Sequence, residues 1–134
     1  MKNLEVVAAI IINNNEILCM QRNKGKYDYV SFKYEFPGGK IESGESQNQA
    51  LKRELFEEMD IHVDISPEDF YLTVEHNYPD FSITMHSYIC RINNRDFVRK
   101  EHISHVWLEA NKLDMLDWAA ADIPIVRKLM EDMG

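Results

Sequence analysis

Apolar positions along the chain change period several times, and each change marks an element. Residues 4–12 form an almost unbroken β-branched and apolar run, which reads as a central strand covered on both faces. Asn13-Asn14-Asn15 is a turn signal, and residues 16–22 read as the returning arm of a hairpin. Residues 23–33 mix polar and aromatic side chains. They are expected to form a mobile loop, either a plain connection or a flap over a ligand. Residues 34–36 make a short strand. Pro37-Gly38-Gly39 reads as a tight turn whose glycines free the backbone to approach a ligand. Leu51, Leu55 and Met59 then recur at i, i+4 and i+8, the apolar stripe of a core-facing helix. Glu45 or Ser46 is its expected N-cap.

Beyond that helix, residues 62–65 read as a short extended piece and 66–69 as a turn. Residues 70–75 and 82–91 look like a strand pair joined through 77–80, followed by a polar loop over 93–100. Residues 105–108 are a last strand and 111–116 a turn of helix. Residues 122–133 are a C-terminal helix with Pro124 in its first turn and Ile125, Val126 and Leu129 as its stripe. Strands and helices mix without regular alternation, so the expected class is α/β, a mixed sheet between helices. No repeat or linker interrupts the chain, and one domain over residues 1–134 is expected.

Composition narrows the function. A formal charge of −8 and a pI near 5.1 argue against a nucleic-acid polymer as partner. They leave room for a free nucleotide carrying its metal. Cys19 and Cys90 sit in apolar runs and read as buried free thiols of a reducing compartment. No apolar run reaches the roughly 20 residues of a membrane span, and the small-residue cleavage site of a signal peptide is missing. A cytoplasmic protein without a membrane partner, monomer or homodimer, is expected.

The chemistry concentrates on the central helix. Glu54, Glu57 and Glu58 share one flank at helical spacing. Carboxylates this close repel unless a cation lies among them, and a hard divalent ion, Mg²⁺ or Mn²⁺, is the simplest. The wider spacing is more specific than the cluster. Gly39, then Glu45, Arg53-Glu54-Leu55, Glu57-Glu58 and Ile61 follow G-x5-E-x7-R-E-U-x-E-E-x-G-U, U being aliphatic. This resembles the Nudix box at every position except the last glycine, here Asp60. That position ends the helix and wants left-handed backbone, which Asp tolerates better than most residues. Asp60→Gly is therefore expected to raise thermal stability and leave turnover unchanged.

Outside the box, LEVVAAII, NEILCMQR, YEFPGGK and DWAAADIPIV are similar to stretches of MutT-type nucleoside triphosphate pyrophosphohydrolases. The resemblance implies the Nudix α/β/α sandwich and hydrolysis of a nucleoside triphosphate to monophosphate and pyrophosphate. It implies metal ligands Glu54, Glu57 and Glu58, the Gly38 carbonyl, and Glu101 from a later loop. Arg53 would orient the glutamates, and Glu54, or Glu57 with Glu101, would accept the water proton. Arg22 and Lys40 are implied phosphate or ribose contacts, with Glu35, Phe36 and Tyr78 around the base. Asp122 aligns where 8-oxoguanine-specific enzymes carry Asn. As an ionised carboxylate it only accepts hydrogen bonds, which suits the cytosine amine or the guanine N1 and N2 hydrogens. As an alternative it caps the last helix.

Both 8-oxo-dGTP and CTP or modified dCTP fit, in an enzyme that cleans the nucleotide pool. A Nudix hydrolase for another nucleoside diphosphate derivative and a non-catalytic nucleotide sensor are the competing readings. The histidines do not form a site in this reading. His102 and His105 lack further ligands at zinc spacing, and His62, His76 and His86 are placed on strands or their edges.

Overall fold

The computed structural model describes residues 2–134. Its frame is a seven-stranded mixed sheet with a helix on each face. The strands are β1 (Lys2–Asn13), β2 (Glu16–Gln21), β3 (Tyr34–Glu35), β4 (Gly38–Lys40), β5 (Phe70–Asn77), β6 (Phe81–Arg91) and β7 (Ser104–Glu109). The helices are α1 (Gln47–Met59) and α2 (Ile123–Met133). Strand β1 is the spine: it runs parallel to β6 and antiparallel to β2 and β4. Strand β2 also pairs β3 and β7, and β5 closes the far edge on β6.

The apolar run of β1 divides by alternation, as a strand's side chains must. Val6, Ala8, Ile10 and Ile12 pack in one core with Phe36, Trp118 and the α2 residues Ile125, Val126 and Leu129. Val7, Ala9 and Ile11 pack in the other with Ala50, Leu51, Leu55 and Met59 of α1. The α/β/α sandwich and the buried central strand are as the sequence implies.

Local chemistry sets the boundaries. Asn14 and Asn15 take φ of 51° and 63°, the left-handed pair a two-residue hairpin loop needs. Ser46 is the N-cap of α1: its Oγ accepts from Gln49 N at 3.2 Å, and Gln49 Oε1 accepts from Ser46 N at 2.9 Å. Asp60 ends α1 in left-handed backbone, φ 55° and ψ 33°, its N–H bonded to the Leu55 and Phe56 carbonyls.

Four expectations are corrected. The glycines expected in a turn begin a strand instead: Gly38 and Gly39 pair Ala8 and Val7. A Cβ on Gly38 would run into the Val7 carbonyl, so glycine is required for close sheet approach rather than for a turn. Residues 62–65 make no strand, which also takes His62 off the sheet. The 23–33 loop is tied down: Ser31 Oγ accepts from Gly25 N at 2.9 Å, and the Tyr29 hydroxyl donates to Asp80 at 2.9 Å. Tyr29 also stacks on Tyr78. Asp122 stands where an N-cap would, with αR backbone and no capping bond from its side chain. Cys19 and Cys90 are buried free thiols, as expected. No helix among the described residues is long and apolar enough to cross a membrane.

Candidate active site

Gly38 and Gly39 carry β4 between the spine strand and α1. A Cβ on Gly39 would strike the Glu54 carboxylate, so the missing side chain lets that carboxylate lie against the strand. Arg53 organises the flank. Its Nε donates to Glu45 Oε2 at 2.6 Å, Nη1 to Glu54 Oε1 at 2.9 Å and Glu57 Oε2 at 3.1 Å, and Nη2 to the Lys40 carbonyl at 3.0 Å. The hydrogen bonds from Arg53 hold the Glu45 carboxyl below its usual range. Glu45 is thus a strut for Arg53 rather than the helix cap.

Glu58 points the other way. It is buried, its Oε2 has no hydrogen-bond partner, and it lies against Glu54 and Glu101. Two carboxylates in contact share a hydrogen bond only when one carries a proton. Burial, and then the charge of Glu101, push the Glu58 carboxyl up to about 9. Among the described residues no three His, Cys, Asp or Glu side chains already form a group that could hold a metal ion as they stand. Arg53 draws Glu54 and Glu57 to itself. The donor chemistry nonetheless fits a hard divalent cation, with an orphaned buried oxygen flanked by two further carboxylates.

Glu58 and Glu101 stand at the wall of a cavity of about 670 Å³. Gly38, Arg22, Glu35, Phe36, Lys40, Tyr78 and Asp122 line it too. These sequence-derived candidates therefore converge, whereas Arg53, Glu54 and Glu57 are not among the residues that line it. Leu4, Val6, Ile83 and Met85 add an apolar surface. Arg22 Nη1 donates to Glu35 Oε1 at 3.0 Å, so these two meet each other before any ligand. The Tyr78 hydroxyl is buried and accepts from Ala121 N at 3.0 Å, fixing the turn that carries Asp122.

Asp122 is 4% exposed, and its Oδ1 accepts from Phe36 N at 3.1 Å. Burial, and then the nearby Glu35 charge, raise its carboxyl well above the ordinary range. Burial thus favours the neutral form over the ionised acceptor expected from the sequence, and a neutral carboxyl offers one donor and one acceptor, as an amide does.

Sequence reasoning missed His102 and the aromatic clasp. The His102 side chain is 7% exposed, lines the cavity and meets Glu35 Oε2 at 2.9 Å. Tyr27, Tyr29, Tyr78 and Phe81 pack ring on ring with centroids 5.0–5.6 Å apart, and all but Tyr29 line the cavity. The one signal for His102 was its place beside Glu101; nothing local marked the clasp.

A glycine strand against a helix of clustered carboxylates, on this sandwich, defines a Nudix hydrolase. The NUDIX domain family matches residues 2–129, and the chain belongs to that family. Its members act on small nucleotide substrates and generally use a divalent metal. The chain is 36% identical to an 8-oxo-dGTP diphosphatase of Escherichia coli K12, over 96% of this chain and 98% of the relative. It is 34% identical to a CTP pyrophosphohydrolase of the same organism, over 97% and 93%. The solution NMR structure of the DNA mismatch repair protein MutT, family Nudix hydrolase, from methicillin-resistant Staphylococcus aureus 252 superposes with a TM-score of 0.75. That comparison is at 40% identity and covers 98% of this chain and 99% of that one.

Proposed function

We propose that this single Nudix domain is a Mg²⁺-dependent nucleoside triphosphate pyrophosphohydrolase that removes oxidised or modified nucleotides from the pool. The observation that carries the reading is one cavity lined by unlike groups: Glu58 and Glu101, which we take as its acidic end, and an apolar surface with the buried Asp122, which we take as its base end. Glu54, Glu57, Glu58 and Glu101, with the Gly38 carbonyl, would hold Mg²⁺, with Mn²⁺ as substitute. When bound, the ion lowers the pKa of the attacking water and neutralises phosphate charge.

The rest is supplied by the chain. Arg53 keeps Glu54 and Glu57 aligned. Lys40 and Arg22, on the cavity wall, meet phosphate or ribose oxygens. The water oxygen bonds to the β-phosphorus as the bond to the α–β bridging oxygen breaks. The water proton passes to Glu54, or to Glu57 with Glu101, leaving nucleoside monophosphate and pyrophosphate.

Asp122 would read the base edge. In the neutral form that burial favours, it matches cytosine, with an amine beside a ring acceptor, or oxidised guanine, with an N–H beside a carbonyl. The relatives named for 8-oxo-dGTP and CTP support both choices. The buried free thiols suit a reducing compartment, and we place the enzyme in the cytoplasm.

The test is release of monophosphate and pyrophosphate with Mg²⁺ from 8-oxo-dGTP, dGTP, CTP, dCTP, 5-methyl-dCTP and ADP-ribose, with Glu57→Gln as control. Turnover of one triphosphate class, abolished in Glu57→Gln, is expected. Turnover of ADP-ribose alone, or of none, would overturn the reading.

A further inference from the structure

The chain departs from the family box at Asp60, and the structure gives that side chain a partner. Lys100 Nζ donates to Asp60 Oδ1 at 2.8 Å and to the Glu57 carbonyl at 3.3 Å. The next residue is Glu101. On its other side, His102 Nε2 meets Glu35 Oε2 at 2.9 Å. A carboxylate only accepts, so Nε2 carries the hydrogen. Glu35 is in turn fixed by Arg22 through its second oxygen, so both of its oxygens are engaged.

Backbone ties reinforce this arrangement: Val98 N donates to the Met59 carbonyl and Ile103 N to the Gln21 carbonyl, each at 3.0 Å. Glu101 thus rides on a segment anchored before it to the end of α1 and after it to the cavity wall. Its carboxyl group lies against that of Glu58, so a shift of this segment would part the two groups.

We propose that Lys100 and His102 are positioning residues that hold Glu101 against Glu58, with Asp60 and Glu35 as their anchors. The proposal rests on the reading of Glu101 as a metal ligand. It changes the meaning of Asp60. The aspartate in place of the box glycine does more than close the helix, because its carboxylate holds one end of the Glu101 segment. The two anchors are unequal. The His102 side chain is almost fully buried, whereas the Lys100 and Asp60 side chains are 42% and 47% exposed. Exposed ion pairs hold weakly, so the His102 contact dominates.

The experiment titrates nucleotide-free protein with Mn²⁺, reading free and bound ion by electron paramagnetic resonance. Steady-state kinetics with Mg²⁺ and a thermal melt accompany each variant. His102→Ala is expected to weaken Mn²⁺ binding and lower kcat by about tenfold or more, as loss of a ligand's supporting partner does. The nucleotide KM should stay near the parent value. His102→Gln, which keeps an N–H donor at similar reach, should restore most of both. Lys100→Met and Asp60→Gly should each weaken Mn²⁺ binding by only about two- to threefold, in keeping with an exposed pair.

A folded His102→Ala protein with parental Mn²⁺ affinity, beside an impaired Glu101→Gln, would overturn the bracket and leave the metal reading standing. Parental affinity in Glu101→Gln would overturn that reading and the bracket with it. If His102→Ala does not fold, unchanged binding in both Lys100→Met and Asp60→Gly overturns the proposal, and weakened binding in both supports it.

Discussion

The two ends of the cavity are built in opposite ways. At the acidic end, Arg53, Glu54, Glu57 and Glu58 come from one helix and Gly38 and Gly39 from the short strand beneath it. Helical spacing brings these carboxylates together, one arginine ties Glu54 and Glu57, and Glu101 joins Glu58 from a separate segment. At the base end, Arg22, Glu35, Tyr78 and Asp122 come from segments scattered from β2 to the start of α2. They are held by cross-chain bonds, Tyr78 to Ala121 and Phe36 to Asp122 among them. The helix-borne carboxylates of the proposed chemistry end are therefore placed by local geometry, whereas the proposed recognition end depends on tertiary contacts throughout. A change at the first should affect every nucleotide alike, and a change at the second should alter the ratio between bases.

Arg53→Lys should break the comparison most visibly. Lys cannot reproduce the forked donor set that meets Glu45, Glu54, Glu57 and the Lys40 carbonyl. A kcat loss of roughly 10- to 100-fold is expected, equal for all bases in a steady-state panel. A base-dependent loss would blur the two ends.

Tyr78→Phe probes the other end with a smaller effect. Leaving Ala121 N without its acceptor should cost about 1 kcal/mol by chemical denaturation. It should also shift the preference between cytosine and oxidised guanine substrates while kcat on the better one is kept. A separate check of the acidic end is a pH trend in chelated protein. Glu58 keeps its proton in the folded state to about 9 but loses it near 4.5 when unfolded. The unfolded state then binds fewer protons across that window, so stability falls as pH rises from 5 towards 9. Melting temperatures should follow that fall, and added Mg²⁺ should reverse it by taking the ionised carboxylate.

The sequence revealed the acidic end because periodicity maps directly onto a helix face. Leu51, Leu55 and Met59 fixed which flank was buried, and the box spacing fixed the carboxylates. It misread Gly38 and Gly39, because a glycine required by a neighbouring strand looks the same as one required by a turn. It dismissed His102, because the Glu35 oxygen that gives His102 its place lies 67 positions away. It also gave no sign that the neutral form of Asp122 is favoured. The protonation of a carboxyl follows from burial and from Glu35 beside it, and neither is visible in a linear pattern.

The most direct test of this division is to compare Glu58→Gln and Asp122→Ala on the same nucleotide panel, with kcat/KM for each base. The account predicts that Glu58→Gln lowers every value by one common factor. It predicts that Asp122→Ala changes the ratios between bases while the best remaining substrate keeps a substantial kcat. A common factor in Asp122→Ala, or a base-dependent one in Glu58→Gln, would contradict the assignment of chemistry and recognition to opposite ends.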